Sequence, residues 1–208
     1  FPRGPHIPTS MPSPSPPSLS PHPPRFSGTG LACRRGDRLV FRDLDFALEP
    51  GGALILTGAN GSGKSSLLRV MTGLTPPLVG TLAWEGVDIH EDPALHRARV
   101  HFVSHQDALK PVLTVAETLG FWARIRGGAD AAVPAALARF RLGELAELPC
   151  RFLSAGQRRR LALARLLASP APLWLLASRN ERSESTSPHR LQTSANLRPW
   201  SQLPNGRA

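Results

Sequence analysis

The chain has 208 residues, 41% of them apolar, and a formal net charge of +10, which leaves room for one domain with a core and tails. No Tyr is present and aromatic residues make up only 6%, so stacking platforms for single-stranded nucleic acid are poorly supplied. Two cysteines, Cys33 and Cys150, lack metal-ligand spacing and exclude a disulfide framework, which fits a reducing compartment. No apolar run reaches membrane-span length: the stretch 161–176 is broken by Arg165, Pro170 and Pro172. The N-terminus shows no apolar signal-peptide core. The positive charge is dispersed and reads as solvated basic faces, so no nucleic-acid partner is expected.

Three segments follow in chain order. Residues 1–27 hold ten of the 22 prolines, interleaved with Ser. Proline removes backbone donors, so this stretch is predicted to be an extended, disordered tail. Residues 28–176 read as the folded domain. Strand-like runs lie at 38–41, 45–48, 53–56, 80–84 and 99–104. Helical runs lie at 64–74, 114–126, 131–140 and 156–167. A short apolar run, 173–176, suits a buried parallel strand. Strands alternating with helices predict an α/β domain. Residues 177–208 turn abruptly polar, rich in Ser, Arg, Asn and Gln, and are predicted to be disordered.

The strand-like run at 53–56 leads into Gly58-Ala59-Asn60-Gly61-Ser62-Gly63-Lys64-Ser65, which meets every fixed position of G-x-x-x-x-G-K-[ST]. Glycines let backbone N–H groups turn inward around phosphate oxygens, and the following helix adds the partial positive charge of its N-terminus. Lys64 is the candidate for reaching the β- and γ-phosphates, and the Ser65 hydroxyl for ligating Mg²⁺. The loop alone does not choose among kinases, GTPases and transport ATPases.

About ninety residues on, Leu153-Ser154-Ala155-Gly156-Gln157 precedes an amphipathic helix, with Arg158-Arg159-Arg160 following. Ser154 is a good N-cap, and the free N–H groups behind it can face an anion. Together with the phosphate loop, this stretch resembles the LSGGQ signature of ABC-type ATPases, with Ala155 in place of the first Gly. Gln106, in the loop after the run at 99–104, stands where that family has its Q-loop glutamine. The resemblance implies an ABC-type P-loop NTPase fold that binds ATP and Mg²⁺, with Ser65 and Gln106 as metal ligands. It implies two copies of the subunit sandwiching two ATP molecules, the signature of one facing the γ-phosphate held by the other. A finer resemblance, to the ATP-binding subunit of the haem-exporter-type ABC complex of bacterial cytochrome c maturation, rests on His105-Gln106, on residues 109–114 with Glu117, and on 153–166. It implies a polytopic inner-membrane partner, a peripheral place on the cytoplasmic face of that membrane, and ATP hydrolysis coupled to haem delivery.

Two stretches depart from the family pattern. The family stacks an aromatic residue on adenine; here Cys33-Arg34-Arg35-Gly36-Asp37 offers arginines, whose planar guanidinium also stacks on rings. The family's apolar strand runs into Asp-Glu, the Asp holding the Mg²⁺ shell and the Glu polarising the attacking water. Here Leu173-Trp174-Leu175-Leu176 runs into Ala177 and Ser178, neither of which is a carboxylate. The general base is therefore absent, and no counterpart of the later switch histidine is found. The fold is expected to be incomplete at its C-terminus, with an unpaired apolar sheet edge and poor solubility. A natural truncation and a shifted reading frame at 177 both account for the change. Two other functions stay open: a non-hydrolysing nucleotide- or partner-binding fragment, and a soluble ABC-type ATPase acting on nucleic acid.

Overall fold

The computed structural model describes residues 25–177 and, by backbone alone, 192–194. Most of the two predicted tails thus lies outside the described residues. The first strand nevertheless begins inside the stretch assigned to the N-terminal tail. β1 (Phe26–Arg35) and β2 (Arg38–Leu48) form an antiparallel hairpin. β4 (Val79–Trp84) pairs with the other edge of β1, and β5 (Val87–Asp88) with β4, giving the order β2-β1-β4-β5. Sequence patterning misses β1, whose Gly28 and Gly30 carry little strand propensity; pairing on both edges supplies what propensity does not. It also splits β2 in two. The chain stays in one strand through Asp43, which adopts φ 49°, at a site where the β1–β2 register shifts.

The inner face of this sheet is apolar. Phe26, Leu31, Phe46, Leu82 and Trp84 pack in one core with Leu67, Val70 and Met71 of α1 (Lys64–Met71) and with Leu173 and Leu175. Phe26, Leu31, Leu67 and Leu82 are wholly buried. Each contributes about 1.5–3 kcal/mol of transfer free energy. Phe26 meets Phe46 at 5.3 Å between ring centroids and stacks on His96 at 5.7 Å. His96 belongs to α2 (Pro93–Arg99), a helix missed by the sequence patterning although Asp92 caps it by accepting from the Leu95 amide at 2.9 Å.

The remaining strands are short and do not form one sheet. β6 (Val100–Val103) and β7 (Leu173–Leu176) pair in parallel, Val100 opposite Leu173 through Val103 opposite Leu176. β3 (Ile55–Thr57) stands apart from them and pairs antiparallel with β8 (Gln192–Ser194), a strand inside the segment predicted to lack structure. Among the described residues β7 has a partner on one edge only. It is also less enclosed than its wholly apolar sequence predicts. Leu173 and Leu175 face the core, whereas Trp174 and Leu176 remain 48% and 45% exposed.

A second core lies among α3 (Val115–Ile125), α4 (Ala132–Arg139) and α5 (Ala155–Ala168), built on Val115, Leu119, Leu137, Leu142 and Leu161. Near it Arg165 of α5 is 93% buried, its guanidinium 3.7 Å from the Trp122 ring centre. Desolvation, with the Arg126 charge adding to it, pulls the Arg165 pKa down to about 10.

Candidate functional site

The phosphate loop sits where strand gives way to helix, between β3 and α1. Gly58, Gly61 and Gly63 have φ of 140°, 82° and 105°. A Cβ at Gly61 would meet nothing within 4 Å, so the glycine there is required by backbone conformation and not by space. Gly63 occupies the N-cap position of α1 without a capping side chain, which leaves the first-turn N–H groups open to an anion. The Lys64 ammonium folds back onto the loop, donating to the Gly58 carbonyl at 2.6 Å and the Ala59 carbonyl at 2.8 Å. Ser62 is 95% buried with its Oγ unpartnered, while Ser65 is exposed on the first turn of α1. Ala59, Asn60 and Gly61 are exposed as well. The exposed, glycine-shaped backbone with one ammonium and one orphaned hydroxyl is a donor set suited to phosphate.

Gln106 is exposed just past the C-terminal end of β6. Its backbone is held by Ser104, whose Oγ donates to the Gln106 carbonyl at 2.7 Å and accepts from the Gln106 amide at 3.2 Å. Beyond it, residues 109–114 are strapped to the approach to α5. The Arg151 amide donates to the Pro111 carbonyl at 3.1 Å, and the Cys150 amide to the Leu113 carbonyl at 2.9 Å. Thr114 and Glu117 form a capping box on α3, with bonds of 3.1 and 2.8 Å. Part of the stretch that carried the finer family resemblance is thus a helix start.

Leu153 is buried and anchors the signature, while Ser154, Ala155 and Gly156 lie exposed at the N-terminus of α5. Ser154 and Gln157 make a reciprocal box. The Ser154 Oγ accepts from the Gln157 amide at 3.2 Å, and the Gln157 Oε1 accepts from the Ser154 amide at 2.7 Å. The three arginines that follow are not the solvated face predicted from sequence. Each is half-buried and donates to a backbone carbonyl: Arg158 to Leu153 at 2.6 Å, Arg159 to Ser104 at 2.8 Å and Ala177 at 2.6 Å, Arg160 to Phe140 at 3.2 Å. Nothing in the spacing of the run points to these partners, which lie up to 55 residues away.

Ala177 follows β7 and is 9% exposed, its amide donating to the Val103 carbonyl at 2.8 Å. No carboxylate stands there. Among the described residues no group of three or more His, Cys, Asp or Glu side chains could hold a metal ion.

The model of the family described as ABC transporter matches residues 41–177, more than half of the chain. The chain belongs to the ABC transporter family. Its match ends at residue 177, where the sequence changes character. The chain is 58% identical over 155 residues to the cytochrome c biogenesis ATP-binding export protein CcmA of Paramagnetospirillum magneticum, covering 73% of this chain and 71% of that one. It is 53% identical over 154 residues to the CcmA of Rhodospirillum rubrum, covering 74% and 66%. Among solved structures, a dimeric ATP-binding cassette in a post-hydrolysis state, bound to ADP and Pi, shares the fold with a TM-score of 0.62 at 22% identity, covering 73% of this chain and 72% of that one. The phosphate loop between β3 and α1 and the three-helix unit carrying the signature thus lie in a fold shared with ABC-type ATPases.

Proposed function

We propose that this ABC-family chain is the ATP-binding subunit of a transporter that serves haem delivery in c-type cytochrome biogenesis. The observation that carries the nucleotide part is the loop at 58–65, with its glycine-shaped backbone, the Lys64 ammonium and the buried, unpartnered Ser62 hydroxyl. The cytochrome c part is supported by the relatives named as cytochrome c biogenesis ATP-binding export proteins, and the haem part by the family resemblance carried by His105-Gln106, residues 109–114 with Glu117, and 153–166. In this reading the loop Gly58, Ala59, Asn60, Gly61, Ser62 and Gly63 wraps the phosphates of ATP with main-chain N–H donors, the Ser62 amide excepted, since it donates to the Ala59 carbonyl at 3.1 Å. Lys64 leaves its carbonyls for the β- and γ-phosphates. Ser154, Ala155 and Gly156 present the start of α5 to the nucleotide of a second copy, which their exposure permits. A polytopic membrane subunit completes the complex. The same reading gives the chain a peripheral place on the cytoplasmic face of the inner membrane, beside that subunit; among the described residues no helix is long and apolar enough to cross a membrane.

The donor set fits Mg²⁺ only thinly. The Ser65 and Gln106 side chains offer neutral oxygens, and the Ala177 side chain offers none, whereas Mg²⁺ is usually held by one or two carboxylates beside the phosphates. When bound, Mg²⁺ supplies charge neutralisation to the phosphates. The chain's own residues bind and orient the nucleotide, but none at the end of β7 can take a proton from water. This favours a second reading alongside the first: the chain holds nucleotide and turns it over slowly. Titration of the full chain with a fluorescent ATP analogue tests the first. Saturable binding that weakens about 10- to 100-fold in Lys64→Ala supports it, and binding that is identical in both proteins sinks it. Recovery of the chain with a polytopic membrane subunit from cells of a cytochrome c-producing bacterium tests the transporter assignment.

A further inference from the structure

One guanidinium links three parts of the site that no motif connects. Arg159 lies in the second turn of α5, five residues after the capping Ser154. Its Nη1 donates to the Ser104 carbonyl at 2.8 Å and its Nη2 to the Ala177 carbonyl at 2.6 Å. Ser104 and Ala177 directly follow the neighbouring parallel strands β6 and β7. The two arms of one rigid fork therefore bracket the ends of two adjacent strands, a geometry that a flexible ammonium cannot reproduce. Ser104 in turn grips the Gln106 backbone at both its amide and its carbonyl. On the other side of Gln106, a carboxylate oxygen of Asp107 is buried without a hydrogen bond and lies 3.7 Å from the Arg159 Nη1. The guanidinium is the positive charge facing it. Gln106 thus sits between two residues that Arg159 holds, one by a hydrogen bond and one by charge.

We propose that Arg159 is a positioning residue for Gln106: it sets the start of the Q-loop against the end of β7 and ties both to the signature helix. It touches no nucleotide itself. The tie to β7 runs through a backbone carbonyl, so it exists whatever side chain residue 177 carries. The proposal rests on the reading that Gln106 helps hold the metal of a bound Mg²⁺–nucleotide. Its consequence is that removing the guanidinium weakens the metal-dependent part of nucleotide binding and leaves the metal-free part, held by the loop at 58–65, unchanged.

The test measures the affinity of the full chain for a fluorescent ATP analogue with Mg²⁺ and with EDTA, in the unsubstituted protein and in Arg159→Ala, Gln106→Ala and the double variant. The ratio of the two affinities is the gain due to Mg²⁺. Charge-assisted bonds of this kind predict a loss of about tenfold in that gain for Arg159→Ala. The same loss is expected for Gln106→Ala, and no further loss when the two are combined, because one acts through the other. Arg159→Lys reaches one carbonyl at a time and is expected to fall between the unsubstituted protein and Arg159→Ala. Equal weakening with and without Mg²⁺ would show a merely structural arginine and overturn the proposal, as would additive losses in the double variant. If Gln106→Ala removes the gain and Arg159→Ala does not, only the role of Arg159 falls. If Gln106→Ala changes nothing, the metal reading of Gln106 falls and the proposal with it. Hydrogen exchange without nucleotide gives a second readout. Faster exchange confined to the amides of 104–107 in Arg159→Ala supports the tie, and faster exchange along all of α5 overturns it.

Discussion

The loop at 58–65 and the end of β7 share a core but differ in what they hold ready for chemistry. Leu67, Val70 and Met71 behind the loop pack in the same cluster as Leu173, Leu175 and Ala177. At the loop every fixed position of the phosphate motif is filled, and a cation waits on its carbonyls. At the end of β7 the backbone is equally well fixed, by Val103 on one side and Arg159 on the other, yet the side chain is a methyl group. The strand's packing depends on alternating apolar side chains, and its end is held by main-chain bonds. Neither requires a carboxylate at residue 177. On the proposed reading binding and cleavage are separable, because backbone conformation shapes the loop at 58–65 while the fold of the β7 end requires no particular side chain at residue 177.

The widest gap between the two regions should appear in turnover. With no general base after β7, steady-state phosphate release by the purified chain is expected to lie about 10²–10⁴-fold below that of relatives carrying one; a rate equal to theirs breaks the comparison. Next comes Lys64→Ala, which removes a charged donor from the complete region. Nucleotide affinity by fluorescence titration should fall by about 10- to 100-fold, with the melting temperature little changed. Ala177→Asp sharpens the contrast from the other side. Supplying an anionic oxygen should raise the Mg²⁺-dependent part of nucleotide affinity about tenfold, read as the ratio of affinities with Mg²⁺ and with EDTA. No change there would mean that the β7 end does not face the metal. A smaller effect is expected at the signature, where Ser154→Ala removes the cap of α5 and should cost about 1 kcal/mol in urea unfolding.

The two regions also carry one buried histidine each, and acid should probe both. His96 packs behind the loop, bonded to the Met71 carbonyl at 2.9 Å; His101 lies beside β7, bonded to the Ser169 carbonyl. Burial lowers the pKa of each below the ordinary 6.5, only partly countered by these bonds, with nearby arginines lowering them further. Between the folded and unfolded pKa values the unfolded chain binds more protons. Stability is therefore full above about pH 6.5 and falls as pH drops below it. The melting temperature should be flat near neutrality and decline on acidification. His96→Gln and His101→Gln should each make that decline shallower; a decline unchanged in both would assign acid sensitivity elsewhere.

What the sequence revealed of this site was local. The loop at 58–65, the cap at Ser154 and the turn after β6 are each specified within a few residues, so glycine conformation, capping chemistry and strand length suffice to place them. The strand β1 was hidden because Phe26 and Ser27 fell in the predicted tail and Gly28 and Gly30 break any strand pattern after them, and pairing with β2 and β4 makes it a strand. The helix α2 carried a legible start in Asp92-Pro93 but was too short for a periodic pattern. The fork of Arg159 was beyond reach for a different reason. Its acceptors are main-chain oxygens 18 and 55 residues away, and carbonyls leave no mark in a sequence. The family resemblance reached further than local patterning, since it located Gln106 and the signature relative to one another, but it too described the missing carboxylate without showing how the strand end is held.

The Lys64 ammonium bears on how quickly and how selectively a phosphate is accepted. A lysine side chain free in solvent gives up about 1.5–2 kcal/mol of rotamer freedom when a ligand fixes it. Here two carbonyls have already fixed it, so that ordering happens once, during folding. An arriving polyphosphate meets a charge standing in place and has only to draw it across a short distance. Ligands with too little charge to win it from the carbonyls gain nothing from its presence. The loop's own main chain thereby sets a threshold on anionic strength, before any contact with base or sugar is made.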